Sequence, residues 1–199
     1  MIGLHVRLAA VLLAVMACSD DSVTNPDPDP MPEAQLNFLR PAINAPPLAQ
    51  TSASFYAVKG SDRELRLFYT DGDEFLRLRI DDESLDRRPD GTAIALGDSV
   101  LITVSVSDAS RLIVDLQPAG LKFADGEPAE LRIRYANADD DIDDDGDVDG
   151  EDDAAERLFA IWRQERPGDL WERIGSVISS DLEDVRADLT GFTRYAIAY

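Results

Sequence analysis

The sequence predicts an all-β protein whose strands form an antiparallel β-sandwich. Apolar and polar residues alternate along short runs, which is the period of a strand with one buried face. Clusters of Gly, Pro, Asp and Ser separate the runs and are typical of tight turns. No long stretch of the sequence repeats its apolar residues with the period of an amphipathic helix. Together these observations favour a sandwich over a helical or mixed fold.

The first predicted hairpin covers residues 64–80. Residues 64–70 and 74–80 alternate, and the Asp-Gly-Asp sequence at 71–73 between them is a hairpin turn signal. Every second residue of both runs is apolar, so one face of the hairpin is expected to be buried. The residues on this face are Leu65, Leu67, Tyr69, Leu76, Leu78 and Ile80.

Further alternating runs continue to the end of the sequence. Residues 99–107 are rich in β-branched side chains, which favour strands, and a second hairpin turn at 108–110 leads into a strand at 111–116. A third hairpin is predicted around Arg-Pro-Gly-Asp at 166–169. The other predicted strands are 130–135, with Leu131, Ile133 and Tyr135 inward, and 159–164, 170–175, 184–189 and 192–199. The sequence thus predicts about nine or ten short strands.

Four stretches resemble a known domain family. They are residues 97–102 (GDSVLI), 116–123 (LQPAGLKF), 127–131 (EPAEL), which run on to Tyr135, and 191–196 (GFTRYA). Over about residues 88–199 the chain is similar to the ZU-type β-sandwich domain of ankyrins, zonula-occludens proteins and netrin receptors, which also has bacterial relatives. The resemblance implies a Greek-key, Ig-like sandwich, protein–protein interaction and no catalysis. It identifies no binding residues, because the partner surfaces of the family vary.

The first 17 residues have the pattern of an export signal. Arg7 precedes ten apolar residues at 8–17, which are too few to span a bilayer but suit a signal peptide. The sequence Val15-Met16-Ala17-Cys18 resembles a bacterial lipobox, which implies cleavage before Cys18 and acylation of that cysteine. An ordinary secretory signal that leaves a free thiol at Cys18 is the alternative. Ser19, in place of the Asp that resembles an inner-membrane mark, favours the outer membrane of a bacterial cell envelope.

A tether is predicted between this anchor and the sandwich. Residues 18–34 contain four alternating prolines, which remove amide donors and favour an extended chain. Several aspartates in the same stretch repel one another and a negative membrane surface. We therefore expect a stalk at 18–34 and a sandwich domain at 35–199.

Composition excludes several functional classes. A net charge of −21 is unsuited to binding nucleic acid, which needs clustered Lys and Arg. The single histidine, His5, lies in the predicted signal, so the mature chain would have neither a Ser-His-Asp unit nor a histidine-ligated metal. The sequence also lacks a nucleophile elbow and a glycine-rich phosphate loop. We therefore expect no enzyme, and a protein or glycan as the partner.

Two other functions stay open from the sequence. Trp162, Trp171 and Tyr135 would form a carbohydrate-binding face if they were exposed, although core packing is the commoner role of aromatic residues on alternating strands. A carboxylate-based hydrolase would need two acids that converge in a cleft.

Residues 139–153 are the most unusual part of the chain, with 11 acidic residues in 15. With Gly146 at position 6 of an EF-hand-like calcium loop, the positions 1, 3 and 5 are Asp141, Asp143 and Asp145. The carbonyl of Asp147 falls at position 7, the aliphatic Val148 at 8, Asp149 at 9 and Asp152 at 12. This loop resembles those of dockerins, which use Asp at the last position. The resemblance predicts one calcium ion, a core-docked Val148 and a short helix at 150–157, inserted at 139–157 between two strands.

A second register also fits the calcium formula. Gly150 at position 6 places Asp145, Asp147 and Asp149 at 1, 3 and 5 and Glu156 at 12, but puts Asp152 where an aliphatic residue is expected. A solvated acidic loop without metal is the third interpretation, since most charge runs behave this way. Crowded carboxylates repel one another, so we expect a divalent cation to order the loop and stiffen one end of the sandwich.

Overall fold

A computed structural model describes residues 29–199 and shows an all-β protein. Thirteen strands lie within these residues: β1 Ser52–Val58, β2 Arg63–Phe68, β3 Glu74–Ile80, β4 Leu85–Arg87, β5 Ser99–Asp108, β6 Ile113–Gln117, β7 Lys122–Phe123, β8 Ala129–Arg134, β9 Ala160–Gln164, β10 Glu172–Arg173, β11 Ser176–Ser179, β12 Asp184–Leu189 and β13 Arg194–Ala198. One helix, α1, covers Gly150–Glu156, and short 3-10 turns cover Glu33–Gln35 and Ser180–Leu182.

The strands form two main antiparallel sheets. The first sheet has the order β1-β5-β6-β13-β9-β10, and the second has the order β11-β12-β8-β3-β2. β4 and β7 pair separately as a small ribbon. Side chains from both main sheets meet in one hydrophobic cluster, so the sheets pack face to face. The predicted antiparallel sandwich is confirmed.

Alternation along the strands positions the core. All six apolar residues of the first hairpin are buried, and β2 pairs with β3, with a shift of register between Leu67 and Phe68 next to the turn. Leu131, Ile133 and Tyr135 also point inward, as predicted. The outer face of the second sheet is therefore mainly polar, because successive side chains point to opposite sides of a sheet, with Phe68 and Val177 as exposed apolar residues.

Some strands differ from the prediction. β1, with the sequence SASFYAV, was not predicted, because small residues on both faces weaken the contrast that reveals a strand. The predicted strand at 170–175 is also interrupted. Only Glu172–Arg173 pairs with β9 in the first sheet, and the chain then crosses at Ile174 and Gly175 to form β11 in the second sheet.

Residues 31–39 form a strap that covers the outer face of the first sheet. Met31 and Trp171 exchange two backbone hydrogen bonds of 2.8 Å, and Asn37 and Tyr199 exchange two of 3.2 Å. Leu36 and Phe38 pack onto a second hydrophobic cluster that contains Trp162 and Trp171. The contacts of the sandwich therefore begin at Met31, inside the segment predicted as tether.

The aromatic residues on which a sugar-binding face would depend are buried, the two tryptophans under the strap and Tyr135 in the main core. Trp171 has no exposed surface, Trp162 is 3% exposed and Tyr135 is 8% exposed. The Nε1 of Trp162 donates a hydrogen bond of 3.1 Å to the carbonyl of Ala198. The hypothesis that these three side chains form an exposed stacking platform is therefore wrong.

Candidate metal site

The acidic segment forms a loop between β8 and β9 and is tied to the rest of the sandwich at its start. Pro41 and Ala138 form an isolated bridge, and the amide of Ala42 donates to the carbonyl of Asn137 at 3.0 Å. The amide of Asp139 donates to the carbonyl of Arg40 at 2.8 Å. The loop thus starts from a fixed backbone position next to the end of the strap.

Three of the predicted ligands converge in this loop. Asp141, Asp143 and Asp145 each offer a carboxylate oxygen, and these oxygens lie within 4.8 Å of one another. Asp141 is half-buried, and the other two are exposed. The three carboxylates could hold a metal ion.

Backbone amides fold the loop around these carboxylates. The two oxygens of Asp141 accept hydrogen bonds of 3.1 Å from the amides of Asp145 and Gly146. Asp145 in turn accepts one of 3.1 Å from the amide of Asp147. Gly146 has a φ of 98°, a left-handed conformation that glycine adopts without steric cost. The chain therefore turns tightly at the position that the first register assigns to glycine.

Asp149 and Asp152 connect the loop to α1. Asp149 is the N-cap of the helix and accepts a hydrogen bond of 2.7 Å from the amide of Glu151. Asp152 completes a capping box by accepting a hydrogen bond of 2.7 Å from the amide of Asp149. Its other oxygen accepts from the amide of Ile142 at 2.7 Å. These hydrogen bonds, led by the one from Asp149, lower the pKa of Asp152, whose side chain is buried.

The six predicted ligands therefore fall into two groups. Asp141, Asp143 and Asp145 form the carboxylate cluster. The carboxylates of Asp147, Asp149 and Asp152 are not members of that cluster within the described residues. Position 7 of the loop requires only the backbone carbonyl of Asp147. The side-chain oxygens of Asp149 and Asp152 accept backbone hydrogen bonds that cap α1 and close the loop.

The backbone fits the first of the two registers. Gly146 has the left-handed φ, whereas Gly150 lies in the first turn of α1, directly after the N-cap. Glu156, the last ligand of the second register, accepts a hydrogen bond of 2.6 Å from the hydroxyl of Tyr135. That contact holds the end of α1 against the sandwich.

The residue that docks the loop is Ile142, so the expectation for Val148 is wrong. Val148 is 66% exposed. Ile142 packs against the main hydrophobic cluster, and its carbonyl accepts a hydrogen bond from the hydroxyl of Tyr199. The sequence shows Ile142 as the other aliphatic residue of the acidic run. Whether its side chain points toward the core depends on the contact with Tyr199 after β13, which the sequence does not reveal.

Carboxylates crowd together around Asp143. Desolvation and the neighbouring carboxylate of Asp145 raise the pKa of Asp143. Arg40, at the end of the strap, forms an ion pair of 3.0 Å with Asp144, but both side chains are largely exposed. Exposed pairs contribute little, so this arginine relieves only a small part of the repulsion.

Comparison of the chain with models of protein families, with curated proteins and with solved structures gave no match. The fold and the site by themselves define the class: an antiparallel β-sandwich with an inserted acidic loop that could hold a metal ion. Within residues 29–199, no helix is long and apolar enough to cross a membrane. The predicted signal peptide, Cys18 and most of the predicted tether lie outside the described residues.

Proposed function

We propose that residues 141–152 bind one calcium ion, which stabilises a membrane-anchored β-sandwich module of the bacterial cell envelope. The module binds a partner and has no catalytic role. The observation that supports the metal site is the convergence of the Asp141, Asp143 and Asp145 oxygens within 4.8 Å. The ZU-type resemblance favours a protein as this partner, and a glycan is the alternative.

Calcium suits this donor set better than other metals. The ligands are carboxylates and a backbone carbonyl, and hard oxygen ligands favour calcium or magnesium over zinc, copper or iron. Magnesium demands near-octahedral geometry, whereas calcium accepts six to eight oxygens in a flexible loop. Asp147 would contribute its carbonyl, Asp149 a water-mediated contact and Asp152 the last carboxylate, in the positions of the loop formula.

The contacts of the loop support a structural role for the ion. Ile142 packs into the main core, Tyr199 at the end of the sandwich bonds to its carbonyl, and Arg40 pairs with Asp144. An ordered loop therefore contacts both the residue after the strap and the residue after β13, and restrains their relative position. Neutralising the crowded carboxylates would stabilise this end of the molecule, since a ligand that prefers the folded state raises its stability.

The anchor is proposed from the sequence before the described residues. The apolar run at 8–17 followed by Val15-Met16-Ala17-Cys18 supports export and acylation of Cys18. Two or more acyl chains give stable membrane attachment, whereas one chain gives only marginal binding. The lipid anchor would place the sandwich at the outer membrane.

The non-catalytic role is supported by the side chains available. Residues 18–199 contain no histidine. A groove of about 480 Å³ lies between the strap and the acidic loop and is lined by three carboxylates. Glu33 and Asp144 are paired with Arg111 and Arg40, and Asp143 belongs to the proposed calcium site. The hydrogen bond from Arg111 lowers the pKa of Glu33, which is opposite to the requirement for a general acid.

Calorimetric titration of the full-length chain with calcium tests the metal site, together with melting curves in calcium and in chelator. We expect one-site binding and a higher melting temperature in calcium. Asp141→Asn and Asp145→Asn should abolish both effects. Asp140→Asn is the matched control, since this exposed aspartate lies in the same acidic run outside the first register. No heat of binding with identical melting curves would overturn the calcium proposal.

Metabolic labelling with a radioactive fatty acid in a bacterial host tests the anchor. The full-length chain should carry the label in the membrane fraction, and Cys18→Ser should lose both the label and the membrane association. Secretion of an unlabelled chain with a free thiol would refute acylation and leave the ordinary secretory signal.

A further inference from the structure

A row of four arginines crosses the outer face of the second sheet. Arg66 on β2 lies opposite Arg77 on β3, Arg77 lies opposite Arg132 on β8, and Arg132 lies opposite Arg186 on β12. Neighbouring strands lie about 4.8 Å apart, so the row presents one guanidinium per strand at a regular spacing. We call Arg66, Arg77, Arg132 and Arg186 the arginine row.

Carboxylates support the arginine row from below. Glu74 lies 3.3 Å from Arg66 and also pairs with Arg132, and Asp184 lies 3.6 Å from Arg132 and 3.4 Å from Arg186. The Glu74 and Asp184 side chains are only 9% and 1% exposed, whereas Arg66 and Arg186 are 42% and 40% exposed. The Arg77 and Arg132 side chains are 22% and 18% exposed, so the row is most accessible at its two ends, and the acids hold the guanidiniums in place.

The arginine row has unused hydrogen-bond donors. Within the described residues, the guanidiniums of Arg77 and Arg186 donate no close hydrogen bond and make only longer ion-pair contacts, of 3.7 Å to Glu64 and 3.4 Å to Asp184. The Nε atoms of Arg77 and Arg132 are buried without an acceptor. Each guanidinium has five N–H donors, and buried donors are costly unless they are satisfied. Like charges opposite one another on a sheet are also unfavourable. An anionic ligand that contacts the terminal N–H groups would relieve this repulsion.

The charge of this face contrasts with that of the whole chain. The outer face of the second sheet carries six arginines and five carboxylates, while the chain has 19 basic and 40 acidic residues. These residues are Arg66, Arg77, Arg79, Arg132, Arg134 and Arg186, with Glu64, Glu74, Glu130, Asp184 and Asp188. Glu130 and Asp188 border the arginine row on one side, and this border would confine an anionic chain to the row.

We propose that the arginine row binds a linear polysaccharide with one carboxylate on each sugar. The inference rests on the proposed role as a partner-binding module and names the chemistry of that partner. The strand spacing is close to the length of one sugar ring in a linear chain, and an arginine fork can bind a carboxylate through two N–H groups. Because successive sugars turn about the chain axis, only some arginines of the row would each meet a carboxylate. Protein interfaces rely on buried aromatic and apolar anchors, and the row has none between Phe68 at one margin and Val177 at the other.

Titration of the full-length chain with an oligogalacturonate of six units tests the inference. The experiment is done at low salt in chelator, below the melting temperature measured in the same buffer, because uronate polymers also bind calcium. We expect saturable binding that weakens as salt is added. The double variant Arg77→Gln/Arg186→Gln should lose affinity by about ten-fold or more, since two forked contacts are removed.

The matched control is Arg166→Gln/Arg173→Gln, which makes the same charge change at exposed positions outside the second sheet and should bind as the unmodified chain does. A neutral glucan oligomer should not bind. Absence of binding, an equal loss in both double variants, or equal affinity for polyglutamate would overturn the inference.

The two proposals fail separately. A chain that binds the oligomer in chelator but shows no heat with calcium overturns the metal site and keeps the arginine row. A chain that binds calcium but no oligomer overturns the inference on the arginine row and keeps the metal site. If the chain is unfolded in chelator, the two double variants are compared in calcium with the same criteria.

Discussion

The carboxylate of Asp152 accepts a hydrogen bond of 2.7 Å from the backbone amide of Ile142 and so closes the acidic loop across ten residues. The second oxygen of Asp152 accepts from the amide of Asp149 at the start of α1. One buried side chain therefore fixes both the beginning of the loop and the beginning of the helix. Ile142 is also the residue through which the loop packs on the core.

Asp152→Ala should destabilise the protein even when no metal is present. The substitution leaves the amides of Ile142 and Asp149 without their acceptor and removes part of the capping box, at a cost of about 2 kcal/mol. Urea denaturation in chelator measures this cost separately from metal binding. Asp153→Ala, at the exposed neighbouring position, should change little. Equal stability of the two variants would show that the loop closes in another way.

Gly146→Ala and Gly150→Ala should have opposite effects. Gly146 has a φ of 98°, where an added Cβ is strained, so alanine should destabilise the loop by about 1 kcal/mol and weaken calcium binding. Gly150 lies in the first turn of α1, where alanine favours the helix by up to about 1 kcal/mol. Melting curves and calcium titrations of both variants check this, and a larger loss from Gly150→Ala would instead support the second register.

Phe38→Ala should loosen the strap and change the tryptophan fluorescence. The Phe38 ring lies 5.1 Å from the Trp171 ring in an edge-to-face contact. Both tryptophans of the chain belong to the cluster under the strap, so their emission reports on this region alone. We expect a red shift, stronger quenching by acrylamide and a stability loss of about 2 kcal/mol. Tyr56→Ala, at an exposed aromatic residue of β1, should leave the emission unchanged.

Asp108→Asn should lower stability at neutral pH but not at low pH. Hydrogen bonds from the hydroxyl of Ser110 and the guanidinium of Arg111 lower the pKa of Asp108 to about 2. A depressed pKa stabilises the folded state above the ordinary pKa of about 3.9, and this contribution is lost as the pH falls toward the lowered value.

The melting temperatures of the variant and the unmodified chain should therefore differ at pH 7 and converge near pH 2. About 1 kcal/mol is expected at neutral pH, because a quarter of the Asp108 side chain is exposed and solvent screens the contact. Asp125→Asn, at an exposed carboxylate, is the control. If the melting temperatures still differed at low pH, the loss of stability would come from packing and not from the charge of Asp108.

Much of the fold could be predicted from alternation and turns. The hairpins around 71–73, 108–110 and 166–169 all form, because their turn residues and flanking patterns are local signals. β1 was not predicted, because its sequence SASFYAV places small and aromatic residues on both faces and the two faces therefore differ little in hydrophobicity. The crossing at Gly175 was equally hidden, because a change of sheet leaves no local pattern.

The candidate site, like the fold, could be predicted from the sequence only in part. The spacing of acidic residues around Gly146 predicted the converging carboxylates and the short helix. The sequence could not rank Ile142 above Val148 as the docking residue, because the choice depends on Tyr199 and the core beneath the loop.

The sequence by itself determined most of the strands and where the acidic loop turns, since these depend on side-chain period and on the conformational preferences of neighbouring residues. The tertiary structure alone decided that the strap buries both tryptophans and that four arginines align across four strands. The physical reason is that strand order and register are set by contacts between residues far apart in the chain, and no local pattern encodes such contacts.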